Sequence, residues 1–303
     1  MEQGQNVSVS FCFGAAVWAP SAMAVSEMPM KQDYDQIGIW SEVKLDIVRE
    51  YAVAYSTILS KQRLRHIYVD AFAGPGVHLS RNTGEWVPGS PLNALAVQPP
   101  FKEFHFIDAD GNRAAQLKEL SGNRSEVFTY EGDCNDILPS RIFPRAEYSK
   151  YGRALCLLDP YNIDLAWDVV ASAGKMGTIE IFLNFMIMDM NMNVLRHDPE
   201  KVDPRQAARM SRFWGDDSWR AGVYESSGNL FGWEEKVGTN EMLAEAYRKR
   251  LRDVAGFQYV PEPMPMRNRT GNTIYYLFFA SPNATGKKIV ESIFNKYRNR
   301  GPA

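Results

Sequence analysis

The chain has 303 residues, a formal net charge of -2, 45% hydrophobic and 23% charged residues. That composition allows one large core or two modest ones and excludes a collagenous, low-complexity or disordered chain. Three cysteines without paired spacing and four histidines without ligand spacing exclude a disulfide framework and a zinc site, and point to a reducing, cytoplasmic setting.

Residues 1–30 differ from the rest. Phe11 to Val25 is apolar and rich in small residues, but Glu2 is the only charge before it, so the basic start of a secretory leader is missing. We expect a disordered extension, or a reading frame begun too early with Met28 or Met30 as the alternative start. No run reaches the roughly 18 apolar residues that a bilayer-spanning helix needs, so no membrane contact is expected.

Residues 31–185 alternate between two periodicities. Apolar residues at Ile39, Val43, Ile47, Val48, Tyr51, Tyr55 and Ile58 predict a helix from Ile37 to Leu59. Arg65 to Ala71 is a β-rich run that passes through Asp70 into Phe72-Ala73-Gly74-Pro75-Gly76, where glycines permit a sharp turn and bare main chain beside a ligand. A short helix starts at Ser90-Pro91, proline being tolerated in a first turn. Phe104 to Ile107 is a second strand ending in Asp108-Ala109-Asp110, and Asn112 to Leu120 is a helix stopped by Gly122. Val127 to Tyr130 ends at Gly132-Asp133, Leu155 to Leu158 ends at Asp159-Pro160-Tyr161, and Ile179 to Phe185 is the fifth strand. Strict strand–helix alternation predicts an α/β fold with a mostly parallel sheet covered on both faces.

Residues 186–255 read as a helical insertion or lid, with Trp214, Trp219 and Trp233 and no obvious strand. Residues 256–303 complete the core through strands Phe257–Val260 and Thr273–Ala280, an antiparallel hairpin around Gly271-Asn272, and a helix from Lys287 to Arg298. From Tyr247 onward eleven basic residues face three acidic ones, so the tail carries 11 − 3 = +8. A basic face of that kind is a candidate for nucleic-acid phosphate, or is an ordinary solvated surface.

Four successive strands end in Asp70, Asp108, Asp133 and Asp159. In an open α/β sheet the carboxyl ends share one edge, so these carboxylates should converge on one crevice. Each suits an adenosine ligand with a charged tail. The Asp70 loop, with Phe72, Gly74 and Gly76, would take the amino-acid end. Asp108 or Asp110 would accept from ribose hydroxyls, and Asp133 would reach the adenine amine. The competing reading is that each aspartate caps a helix. Asp159, with Tyr161 and Asn184, is the candidate reaction site, where a carboxylate holds an exocyclic amine and an aromatic ring stacks on its base; the alternative is that Pro160 only breaks the strand and Tyr161 packs in the core.

These motifs, together with Trp40-Ser41-Glu42-Val43-Lys44, Gly89-Ser90-Pro91, Gly132-Asp133-Cys134-Asn135, Met188-Asp189-Met190-Asn191, Arg212-Phe213-Trp214-Gly215 and Tyr275-Tyr276-Leu277, resemble the three-Cys-motif partner protein family (TcmP). The resemblance runs from about Trp40 to Tyr297. It implies a bacterial protein with a Rossmann-like class I methyltransferase fold, S-adenosylmethionine as cofactor, and a three-Cys-motif protein as possible partner. Asp159-Pro160-Tyr161 is similar to the Asp-Pro-Pro-Tyr box of amine-methylating enzymes but lacks its second proline. Two functions follow: a methyltransferase acting on a nucleic-acid or nucleotide-like amine, or a non-catalytic module that docks through the aromatic-rich insertion. A nicotinamide-dependent oxidoreductase is disfavoured, because the third glycine of the dinucleotide fingerprint is missing.

Overall fold

The computed structural model describes residues 35–226, 234–236, 238–268 and 270–298; the expectations for residues 1–30, and Trp233, lie outside them. In chain order the strands are β1 (Gln36–Ile37), β2 (Arg65–Asp70), β3 (Val77–Ser80), β4 (Trp86–Pro88), β5 (Glu103–Asp108), β6 (Val127–Glu131), β7 (Gly152–Leu158) and β8 (Ile179–Phe185). They continue with β9 (Tyr224–Ser226), β10 (Glu234–Lys236), β11 (Met264–Arg267) and β12 (Thr273–Ala280). The helices are α1 (Ile39–Lys61), α2 (Ser90–Leu95), α3 (Gly111–Ser121), α4 (Cys134–Ile137), α5 (Trp167–Met176), α6 (Ile187–Asn193), α7 (Pro204–Trp214), α8 (Asn240–Asp253) and α9 (Ala284–Arg298).

Seven strands form the main sheet in the order β11-β12-β8-β7-β2-β5-β6. β6, β5, β2, β7 and β8 are mutually parallel, β12 is antiparallel to β8, and β11 is antiparallel to β12. Alternate residues serve two cores. Ile67, Val69, Cys156, Leu158, Ile181, Leu183 and Phe278 enter one, while Tyr68, Leu155, Leu157, Phe182, Leu277 and Phe279 enter the other. Burial on both faces explains why β7 and β8 read as unbroken apolar runs. The five expected parallel strands and the antiparallel edge are present.

The first strand of the expected hairpin is elsewhere. Phe257–Val260 contributes only an isolated bridge from Tyr259 to Ser281, and β11 supplies the pairing instead. β11 contains Pro265 and follows Pro261 and Pro263, a composition that argues against a strand. As the outermost strand of the sheet it tolerates the missing N–H.

The described residues between 186 and 255 are helical in the main, but β9 and β10 pair as a short antiparallel ladder. Nor is the segment a detached lid. Phe213, Trp214, Trp219 and Tyr247 are each no more than 3% exposed. The Tyr247 ring stacks on Phe213 at 5.2 Å and lies 4.8 Å from Phe185 at the end of β8. Trp214 and Trp219 are therefore core residues, their indole N–H groups donating to Ser218 and Ser211.

The other face holds a polar island. Glu180, buried at the start of β8, accepts from the hydroxyls of Tyr51 and Ser281, and burial pushes its pKa up to about 7. A Cβ on Gly286 of α9 would meet Tyr51 Oη at 2.7 Å, Ser281 Oγ at 2.9 Å and Glu180 Oε1 at 3.1 Å. Gly286→Ala is therefore expected to cost about 1–3 kcal/mol, read as a lowered melting temperature. An unchanged melting temperature would mean that α9 is not seated on this island.

Candidate active site at the carboxyl edge of the sheet

β2 ends at Asp70, which is fully buried, and the chain turns through Gly74 (φ 64°) and Gly76 (φ 85°). Both glycines are left-handed, a conformation that costs other residues energy. The loop is fastened to its neighbours, with Ala71 N–H donating to Leu157 O, Ala73 N–H to Ile107 O and Gly74 N–H to the Asp108 carboxylate at 2.8 Å. Gly89 N–H donates to Gly76 O, which brings the start of α2 against the loop.

The aspartates do share one edge, but with different duties. Asp108 accepts Gly74 N–H on one oxygen and Asp110 N–H on the other, each at 2.8 Å, so it braces the glycine loop. Asp110 caps α3 through Asn112 and Arg113 N–H, and Asp133 caps α4 through Asn135 N–H. Phe72 packs partly buried against the core, and its N–H donates to Asp70.

Asp70 is different. Burial pushes its pKa up to about 7; the Asp159 carboxylate adds to the rise, and Ser90, the Phe72 N–H and Lys44 pull against it. Its Oδ2 is buried with no hydrogen-bond partner, as are Asn184 Oδ1, Trp40 Nε1 and His78 Nδ1. Leaving such atoms unpaired in a finished interior is costly. Charges link two of them: Lys44 and Asp159 act on both Asp70 and His78.

Asp159 and Asn184 come together as expected. Asn184 Nδ2 donates to Asp159 Oδ1, and Lys44 Nζ forms an ion pair with Asp159 Oδ2. The side chains of Lys44 and Asp159 are only 10% and 21% exposed. The Lys44 ammonium lies 5.8 Å from the Tyr275 ring centroid, and Tyr275 Oη donates to Trp40 O. Tyr161 takes another course. It stays exposed on the rim and donates from Oη to Asp35 at 2.9 Å, while Asp35 pairs with Arg113 of α3 at 3.0 Å. Asp35 leads directly into β1, which pairs with β3 and through it with β4. A small three-stranded layer, β1-β3-β4, is thereby fastened to α3 and to the segment after β7.

Lys44, Asp35, His78 and Arg113 carry no role in the sequence reading. Lys44 was legible: it lies three residues before Ile47 and four before Val48, on the apolar stripe of α1, where a lysine needs a reason. Asp35 and Arg113 are distant in sequence, and nothing local joins them.

No family model matches the sequence, and no curated protein sequence matches it significantly. A crystal structure of a Legionella pneumophila str. Philadelphia 1 protein assigned to DUF519 aligns over 85% of this chain and 93% of its own, at 11% identity and a TM-score of 0.52. A putative methyltransferase from Thermobifida fusca aligns over 78% and 81%, at 14% identity and a TM-score of 0.38. An S-adenosylmethionine-dependent methyltransferase from Clostridium acetobutylicum aligns over 77% and 91%, at 12% identity and a TM-score of 0.36. At such identities the likeness concerns fold alone. The strand order, with β12 reversed and β11 parallel to the first five, is that of the class I methyltransferase fold.

Proposed function

We propose that this chain is an S-adenosylmethionine-dependent methyltransferase whose acceptor is an amine, on a nucleic acid or a nucleotide-like molecule. One observation carries the reading: three buried polar atoms without protein partners, Asp70 Oδ2, His78 Nδ1 and Asn184 Oδ1, belong to side chains within hydrogen-bonding or electrostatic reach of the Lys44–Asp159 pair at the carboxyl edge. Their chemistry fits the cofactor. Asp70 Oδ2 and Asn184 Oδ1 are acceptors suited to the ammonium of an amino-acid tail. Asp70 and the glycine loop would hold the amino-acid end, with Asp108 at the ribose side.

When bound, the cofactor supplies an electrophilic methyl group on a sulfonium sulfur. Asp159 accepts an N–H of the acceptor amine and aims the nitrogen lone pair, and positioning accounts for most of what such a displacement requires. Lys44 and Asn184 hold the Asp159 carboxylate in one orientation. We also place the chain with the three-Cys-motif partner proteins and in the cytoplasm, on the motifs that run from Trp40 to Tyr297. Docking through an aromatic-rich insertion has less support, because Trp214 and Trp219 are buried.

The basic tail does not strengthen the nucleic-acid acceptor. Six of its eleven cations are met within the chain: Arg248 by Glu245, Arg250 by Asp216, Arg252 by Asp253, Lys287 by Glu291, Lys296 by Glu50 and Arg298 by Glu262.

Gly74 offers the test of the cofactor site. A Cβ there meets only His78 Cε1, at 3.9 Å, so the position is roomy but left-handed. Gly74→Val should keep the fold at a cost of about 1–2 kcal/mol and abolish calorimetric binding of S-adenosylmethionine. A variant that binds like the parent, or a parent that does not bind, sinks the reading.

A further inference from the structure

At the opposite, amino-end edge of the sheet the chain departs from good backbone practice twice. Arg63 (φ 56°) and Tyr151 (φ 53°) are the non-glycine residues held in the left-handed region among those described. Both occupy helix-ending positions where glycine is the usual choice. Leu64 N–H returns to Leu59 O after α1, and Gly152 N–H returns to Glu147 O after the 3-10 turn Tyr148–Lys150. The two turns are joined, since Arg65 N–H donates to Tyr151 O. Backbone geometry therefore does not account for the arginine or the tyrosine.

What these residues do share is a surface. A cavity of about 490 Å³ is lined by Ser60, Arg63, Leu64, Arg65 and Lys102. Beside it Tyr148 is 75% exposed and Tyr151 72% exposed, an unusual cost for large rings, and the Arg153 guanidinium lies 5.0 Å from the Tyr148 ring centroid. Two nearby acids are already matched, Glu103 between Arg65 and Arg145 and Glu147 by Lys150; Glu126, whose carbonyl accepts Phe104 N–H, forms no ion pair among the described residues. Lys61, Arg63, Lys102 and Arg153 form no ion pair among the described residues.

We propose that this amino-end surface binds single-stranded nucleic acid, with Arg63, Lys102 and Arg153 on phosphates and Tyr148 and Tyr151 as platforms for bases. Unmatched cations supply a sequence-independent attraction to a polyanion. Exposed rings beside them distinguish a base-bearing strand from an acidic polypeptide, because every base offers a face for stacking. The site stands on the far edge of the sheet from the Asp159 cluster, and its failure would leave the cofactor reading intact.

The test uses the full chain and a fluorescein-labelled oligouridylate of about 12 nucleotides, followed by anisotropy between about 50 and 200 mM salt. Arg63→Gly combined with Lys102→Ala should weaken binding roughly tenfold or more and lower the salt slope by about 1.4, from ~0.7 per lost phosphate contact. Tyr151→Gly should weaken binding by about tenfold with the salt slope unchanged. Arg63→Gly and Tyr151→Gly should melt no lower than the parent, since glycine suits both turns, so lost binding cannot be lost folding. Lys201→Ala, on a different surface, should bind like the parent. Three results would each overturn the proposal: no binding by the parent at low salt, unchanged binding by the variants, or equal competition by polyglutamate with Tyr151→Gly silent.

Discussion

Replacing Asp159 by alanine is expected to remove methyl transfer by about 100-fold or more while S-adenosylmethionine still binds. The same change strands the Lys44 ammonium in a site where its side chain is 10% exposed, so a loss of ~3 kcal/mol in stability should accompany it. Activity and folding must therefore be separated, and the paired change does so. Lys44→Met with Asp159→Asn removes both charges and leaves no buried ion uncompensated, so most of the lost stability should return. Transfer should not return with it. If the double variant regains activity, or if Asp159→Ala loses cofactor binding in step with transfer, the ion pair holds the fold and Asp159 takes no part in the chemistry.

Asp70→Asn should make the protein more stable at pH 8 and leave it little changed at pH 4. The sign follows from the raised pKa of about 7, against an ordinary 3.8. Between those values the folded chain keeps a proton that the unfolded chain has lost, so this group costs stability as pH rises through the window and no more above it. The cost at pH 8 is on the order of a few kcal/mol, and each kcal/mol moves the melting temperature by ~2–4 °C in a chain of this size. Glu180, also near 7, adds to the trend, while His105, pushed down to about 4 by burial, opposes it. The parent's own pH profile mixes these signs. The difference between parent and variant isolates Asp70, and a gap no wider at pH 8 than at pH 4 would refute its assignment. The stabilised variant should bind the cationic cofactor worse, because a neutral amide replaces the carboxylate.

Much of the fold was written locally. Alternating apolar runs, glycine turns and aspartates at strand ends placed β2, β5, β6, β7, β8 and β12, because each signal lies within a few residues of the element it marks. β11 was hidden by Pro261, Pro263 and Pro265, whose cost vanishes only at an edge position set by the rest of the sheet. At the site, the shared edge of the four aspartates and the Asp159–Asn184 pairing were legible from topology. The division of labour was not. A capping aspartate and a fully buried one look alike in sequence, and burial is what separates Asp70 from Asp110 and Asp133. Likewise a tryptophan-rich stretch reads as a surface until its partner, here Tyr247, is known.

The way residues 186–255 are fused to the main body bears on how the crevice opens. A segment rooted by Phe213, Trp214 and Tyr247 cannot swing without exposing several large rings to water, at several kcal/mol. Asp35, by contrast, clasps Arg113 and Tyr161 through partly buried and exposed polar contacts, which water replaces at less cost than it would take to bare those rings. Of the two borders, the one built on Asp35 is therefore the cheaper to disturb, and the tryptophan-bearing segment is the fixed one.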